Sequence, residues 1–126
     1  MASPTARTLE RLRKEGYTCQ VVEKWQAFSK RRIDLFGVID IVGILPGKVG
    51  VLGIQATSRG NVNARIAKSL AEPKLLTWLQ AKNEFEVWGW GKLKAGWTLN
   101  VVQFTLQGTQ IIAEKIKALD NSTKVE

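Results

Sequence analysis

Apolar positions along this chain fall into short blocks whose period changes from helical to alternating and back. Ala6, Leu9 and Leu12 recur at helical spacing, with Arg7, Arg11 and Lys14 elsewhere on the turn. Ser3 or Thr5 caps a helix predicted over about 5–15, and Gly16 closes it. Residues 17–25 read as a strand, and the basic segment 26–34 as a loop or irregular strand. Residues 36–45 and 48–57 form two apolar strands joined at Pro46-Gly47, a hairpin. Asn61 is placed to cap a helix over about 62–71, with Val62, Ile66 and Leu70 as its apolar positions. Pro73 opens a second helical stretch to about residue 81, packed through Leu75, Leu76, Trp78 and Leu79. Strands follow at 85–90 and 98–106. Ile111, Ile112, Ile116 and Leu119 then predict an amphipathic helix over 108–119. Residues 1–4 and about 121–126 read as frayed ends.

Polar residues interrupt the central hairpin where a core would exclude them. Asp40 sits inside Ile39-Asp40-Ile41-Val42, and Gln55 and Thr57 interrupt Val51-Leu52-Gly53-Ile54-Gln55-Ala56-Thr57 at i and i+2. Side chains alternate faces along a strand, so Gln55 and Thr57 point the same way, and a hairpin can bring Asp40 beside them. Burying unpaired polar groups is costly, so such a cluster needs partners or a task.

Composition narrows the chemistry. A chain of 126 residues is read as one domain, with a core over about 5–106. It has no run long enough to span a bilayer and no apolar leader at its N-terminus. Membrane partners are therefore not expected, and an intracellular, cytoplasmic location is. There is no histidine and a single cysteine, Cys19, which excludes histidine triads, histidine metal sites and an internal disulfide. Any metal would be held by oxygen, which suits Mg²⁺ or Mn²⁺. The net charge of +8 favours a polyanion, and nucleic acid is the commonest. Lysines and arginines gather at 7–14, 24–32, 59–68 and 92–94.

Asp40 followed by Gln55-Ala56-Thr57 resembles the paired motif of the PD-(D/E)XK nuclease superfamily, which includes the archaeal Holliday junction resolvases. Asp40 matches the first acid, with Ile39 where the motif has proline; Gln55 stands in the place of the second acid and Thr57 in that of the lysine. The element order matches the family's αβββαβ core over roughly residues 5–92, followed here by an extra strand and helix. The resemblance implies a restriction-endonuclease-like α/β fold with a mixed central sheet. It also implies a metal-dependent endonuclease that cuts duplex or branched DNA, acting as a homodimer because a junction has two-fold symmetry. A small basic protein of this kind fits a phage or mobile element.

On that reading Asp40 is the principal metal ligand and Gln55 contributes an amide oxygen, while Thr57 offers a hydroxyl to a phosphate or water. Glu10-Arg11 resembles the helix Glu-Arg of the resolvases, and Glu23 is the other acid able to complete the site. Asp34 is a third, or caps the turn before Phe36-Gly37. Lys30, Arg31 and Arg32 precede the acidic cluster and suit phosphates. Ser58, Arg59 and Asn61 lead into a helix N-terminus, a plausible phosphate seat, with Arg65 and Lys68 along that helix. Of the five tryptophans, Trp25 and Trp78 read as structural, and at least two of Trp88, Trp90 and Trp97 as core or interface. Two other functions remain open: a catalytically silent nuclease-fold module that binds DNA or serves in assembly, and a protein-interaction surface built on the tryptophan-rich C-terminal half.

Overall fold

The computed structural model describes residues 2–120, with side chains through residue 116. Helix α1 (Pro4–Lys14) begins where Ser3 Oγ accepts the Ala6 N–H at 3.1 Å and Pro4 presets the first turn. Strands β1 (Thr18–Val21), β4 (Ile41–Ile44), β5 (Leu52–Ser58), β6 (Glu84–Leu93), β7 (Gly96–Gln107) and β8 (Gln110–Asp120) form one sheet in the order β1-β4-β5-β6-β7-β8. All pairs are antiparallel except β5 and β6, so the sheet is mixed. A parallel pair needs a crossover. It is supplied by one 3-10 turn (Arg59–Asn61) and helices α2 (Val62–Leu70) and α3 (Pro73–Gln80). Strands β2 (Lys24–Gln26) and β3 (Arg31–Ile33) pair only with each other.

Alternation along the strands builds a core on each face. Leu12 of α1 packs with Ile41, Leu52, Ile54, Trp88, Trp90 and Leu99. On the other face Leu75 and Leu79 of α3 pack with Ile39, Phe85, Val87 and Phe104, and Val62 and Ile66 of α2 join them. Gly89 and Gly91 are what let the crossover lie close to β6: a Cβ on Gly89 would strike Val62, and one on Gly91 would strike Arg59. A polar link between α1 and this core is satisfied, since Trp90 Nε1 donates to the buried Thr8 Oγ1 at 2.9 Å and that hydroxyl donates to Pro4 O at 2.8 Å.

The C-terminal helix expected over 108–119 is instead strand β8, paired along β7. Ile111, Ile112 and Ile116 satisfy a helical period, but Gly108, at φ +65°, opens a two-residue turn that folds the chain back on itself. A helix there would have left the outer row of N–H and C=O groups on β7 unpaired, and the ladder overrides the local period.

The single strand expected at 17–25 breaks after Val21. Its last sheet bond is Val22 N–H to Asp40 O, after which the chain leaves for the β2–β3 hairpin. Asn61 precedes α2 but makes no capping bond; its Nδ2 donates to Ser58 Oγ at 3.2 Å.

Candidate functional site

Asp40 lies just before β4, where the backbone pairing with β5 is ending. Its N–H donates to Ile54 O, and its carboxylate accepts the next free strand N–H, that of Ala56, at 3.2 and 3.3 Å. The side chain thus stands in for a missing ladder carbonyl, which fixes it against β5. Gln55 reaches it from that strand: Nε2 donates to Asp40 Oδ2 at 3.1 Å and also to Asp34 Oδ2 at 3.1 Å. Asp40 is 6% exposed, Gln55 2% and Thr57 4%. The two carboxylates are therefore bridged, inside the protein, by one amide NH₂.

The electrostatics follow from that burial. Loss of water raises the Asp40 pKa most, the Ala56 N–H lowers it, and Asp34 raises it again; Gln55 lowers it and Glu23 raises it, with the result pushed up to about 7. Lys68, from α2, places Nζ 3.4 Å from Asp34 Oδ2 and brings a cation to the cluster. The Gln55 amide has both N–H groups turned to acids and leaves Oε1 buried with no partner. A half-turn of the amide would exchange the two ends. An orphaned buried acceptor is a costly feature, and a cation is one group that satisfies it.

The donor set fits a hard divalent cation in kind: two carboxylates and an amide oxygen. It falls short in number, since among the described residues no group of three acids, histidines or cysteines is arranged to hold a metal.

The other residues expected at a site are distributed unevenly. Glu23 lies near enough to act on Asp40, and its carboxylate pairs with Arg32 at 3.6 Å. Asp34, the least favoured acid on sequence grounds, is the one that joins Asp40 in bonding Gln55. Glu10 sits on the exposed side of α1, while the charges felt by Asp40 come from Asp34 and Glu23. Lys30, Arg31 and Arg32 are exposed on the β2–β3 hairpin.

The phosphate seat expected at Ser58-Arg59-Asn61 is occupied by internal bonds. Arg59 donates to Thr98 Oγ1 at 2.8 Å and lies along Gly91, and Ser58 and Asn61 bond each other. Arg65 is half-buried on α2, and Lys68 is committed to Asp34.

Trp25 was expected to be structural, yet it is 62% exposed. Trp88 and Trp90 are buried, so they offer no surface to a partner. Trp97 is partly buried under Arg7, whose guanidinium stacks 3.6 Å above its ring. Phe28, fully exposed, drew no attention in the sequence. Its signal was there: it is an aromatic residue with no apolar partner, set in a run of cations.

No known protein family, curated protein or solved structure matches this chain.

Proposed function

We propose that this chain is a DNA-binding, metal-dependent phosphodiesterase of the restriction-endonuclease-like fold, with a divergent Asp…Gln-X-Thr site. The observation that carries the reading is the buried Asp34–Gln55–Asp40 cluster, with Gln55 Oε1 unpartnered and Lys68 at its rim. Buried acids held together at a strand junction cost stability, and a site that binds a cation is a physical reason to keep them. Mg²⁺ or Mn²⁺ would be held by Asp40, Asp34 and, after the amide turns, Gln55. Bound there, it would offset the acids, acidify a water and withdraw charge from phosphorus.

The chain's own residues divide the remaining work. The Ala56 N–H orients Asp40. Glu23 extends the acidic edge. Lys68 is placed to take the cationic role that Thr57 cannot fill, while the Thr57 hydroxyl faces the same side as Gln55. Lys30 and Arg31 supply phosphate contacts outside the cluster. Cleavage of a two-fold symmetric junction would require a homodimer.

One observation favours a second reading, a catalytically silent DNA-binding or assembly module. The Gln55 NH₂ already bridges Asp34 and Asp40, satisfying both acids without a metal.

Incubation of labelled branched, single-stranded and linear duplex DNA with Mg²⁺ or Mn²⁺ separates the two. Nicking that requires metal and is lost in Asp40→Asn supports the enzyme. Binding of DNA at low salt by both proteins, with no cutting by either, supports the silent module.

A further inference from the structure

We propose that the β2–β3 hairpin is a stacking clamp for unpaired nucleotides, which makes single-stranded or branched DNA, rather than plain duplex, the preferred ligand of this protein. The inference rests on the DNA-binding reading of the Asp34–Gln55–Asp40 region and specifies its substrate class.

The hairpin stands outside the main sheet, and its strands are almost wholly exposed. Its sequence from Lys24 to Ile33 carries Lys24, Lys30, Arg31 and Arg32 and no acid. Its aromatics are Trp25, 62% exposed, and Phe28, 100% exposed. Apolar surface of that size on a two-stranded ribbon has no core to serve, and ribbons of this kind are stable only when anchored or bound.

The registry sorts the side chains. Trp25 lies opposite Arg32, and Gln26 opposite Arg31, so these two positions are each paired with a guanidinium on their own face. The tip is shaped: Ser29 Oγ donates to Gln26 Oε1 at 2.6 Å and Lys30 adopts φ +55°, in a turn that leaves Phe28 fully exposed. Exposed rings beside cations are the elements with which proteins hold unpaired bases, the ring stacking on the base and the cation meeting the phosphate. A paired duplex keeps its base faces covered and offers such rings nothing.

The placement joins this surface to the acidic cluster. The hairpin base, Lys24 opposite Ile33, is one residue from Glu23 and one from Asp34. Glu23 acts on Asp40, and Asp34 binds Gln55. A strand stacked on Trp25 and Phe28 is thereby led to the buried acids, and the Glu23–Arg32 pair braces the root.

The test is fluorescence anisotropy with labelled single strand, splayed fork and blunt duplex, in EDTA so that nothing is cut. Wild type should bind single strand and fork more tightly than duplex. Trp25→Ala/Phe28→Ala should lose at least about tenfold on the first two and less than about twofold on duplex. Trp25→Phe/Phe28→Tyr should restore binding, since both keep a ring. Lys30→Gln/Arg31→Gln should weaken all three ligands alike and flatten their salt dependence. Equal wild-type affinity for fork and duplex, or a ring-free variant that holds forks as wild type does, overturns the clamp while leaving DNA binding intact. Failure of wild type to bind any of the three at low salt overturns the DNA-binding reading and the clamp together.

Discussion

Asp40 carries the clearest consequence at the scale of a single residue. Its pKa is raised to about 7 in the folded protein, chiefly by burial, against 3.8 for a free side chain. The folded state therefore holds a proton that the unfolded state releases between these values. The contribution of Asp40 to stability should be fully present below about pH 4, fall as pH rises toward 7, and level off above it. The buried Glu86, also raised by loss of water and held by Trp88 Nε1 at 2.8 Å, adds to the trend in the same direction. In Asp40→Asn that part of the slope disappears. The new amide oxygen, set in the place of Asp40 Oδ2, can accept both the Ala56 N–H and the Gln55 NH₂, which keeps its bond to Asp34. The variant should be more stable than wild type at pH 8 by roughly 1–4 kcal/mol, read from urea unfolding at several pH values. Equal pH slopes in the two proteins would show that Asp40 is not the group responsible.

Gln55 gives a second prediction at the same scale. Gln55→Glu places a third carboxylate against Asp34 and Asp40 and removes the NH₂ that bridges them. Without divalent metal its melting temperature should fall by several degrees. Millimolar Mn²⁺ should return most of that loss and move wild type much less, because the added charge completes an oxygen ligand set. A metal-independent deficit would mean that the cluster cannot seat a cation even with three acids.

Among the elements, the crossover between β5 and β6 is the most tightly fitted. Gly89 faces Val62 with no room for a methyl group. Gly89→Ala should push α2 off the sheet and cost about 1–3 kcal/mol, measured by thermal or chemical denaturation. Because α2 also carries Lys68, the same variant should loosen the Lys68–Asp34 contact at 3.4 Å. The hairpin is the opposite case. Its exposed side chains stand clear of both cores, so Phe28→Ala should leave the unfolding midpoint unchanged within error.

Taken whole, the molecule has a charge of +8, and the cations lie on more than one side. Those of α1 sit over one sheet face, Lys68 lies on the other, and the cations of the hairpin stand on a ribbon separate from the main sheet. Binding to single-stranded DNA should weaken steeply with salt, with a log–log slope of roughly −2 to −4 if three to five phosphates are met. Titration at several KCl concentrations reads it directly; a flat response would exclude a phosphate-driven interface. No helix among the described residues is long and apolar enough to cross a membrane.

Much of this organisation was legible without the structure. Helix α1, the two crossover helices and strands β4 to β7 show in period and punctuation alone, although β4 begins only at Ile41 and not at residue 36: the helices bury one stripe, and β5 and β6, covered on both faces, read as nearly continuous apolar runs. So does the approach of Asp40 to Gln55, since the alternation of a strand dictates which side chains share a face. The fate of residues 108–119 was not legible: Ile111, Ile112 and Ile116 suit either period, and only the open edge of β7 decides between them. Asp34 looked like a turn cap because its partner, Gln55, is 21 residues away, beyond the reach of any local pattern. Arg59 looked free for phosphate because its partner, Thr98, lies on a strand across the sheet. The exposure of Trp25 and Phe28 was hidden for the same reason, as burial belongs to the packed molecule and not to the residue. Local period, caps and charge are properties of neighbours in the chain, and these the sequence determined by itself. Which acids meet, which cations are already spent and which rings face water depend on contacts between distant segments, and only the tertiary structure decided them.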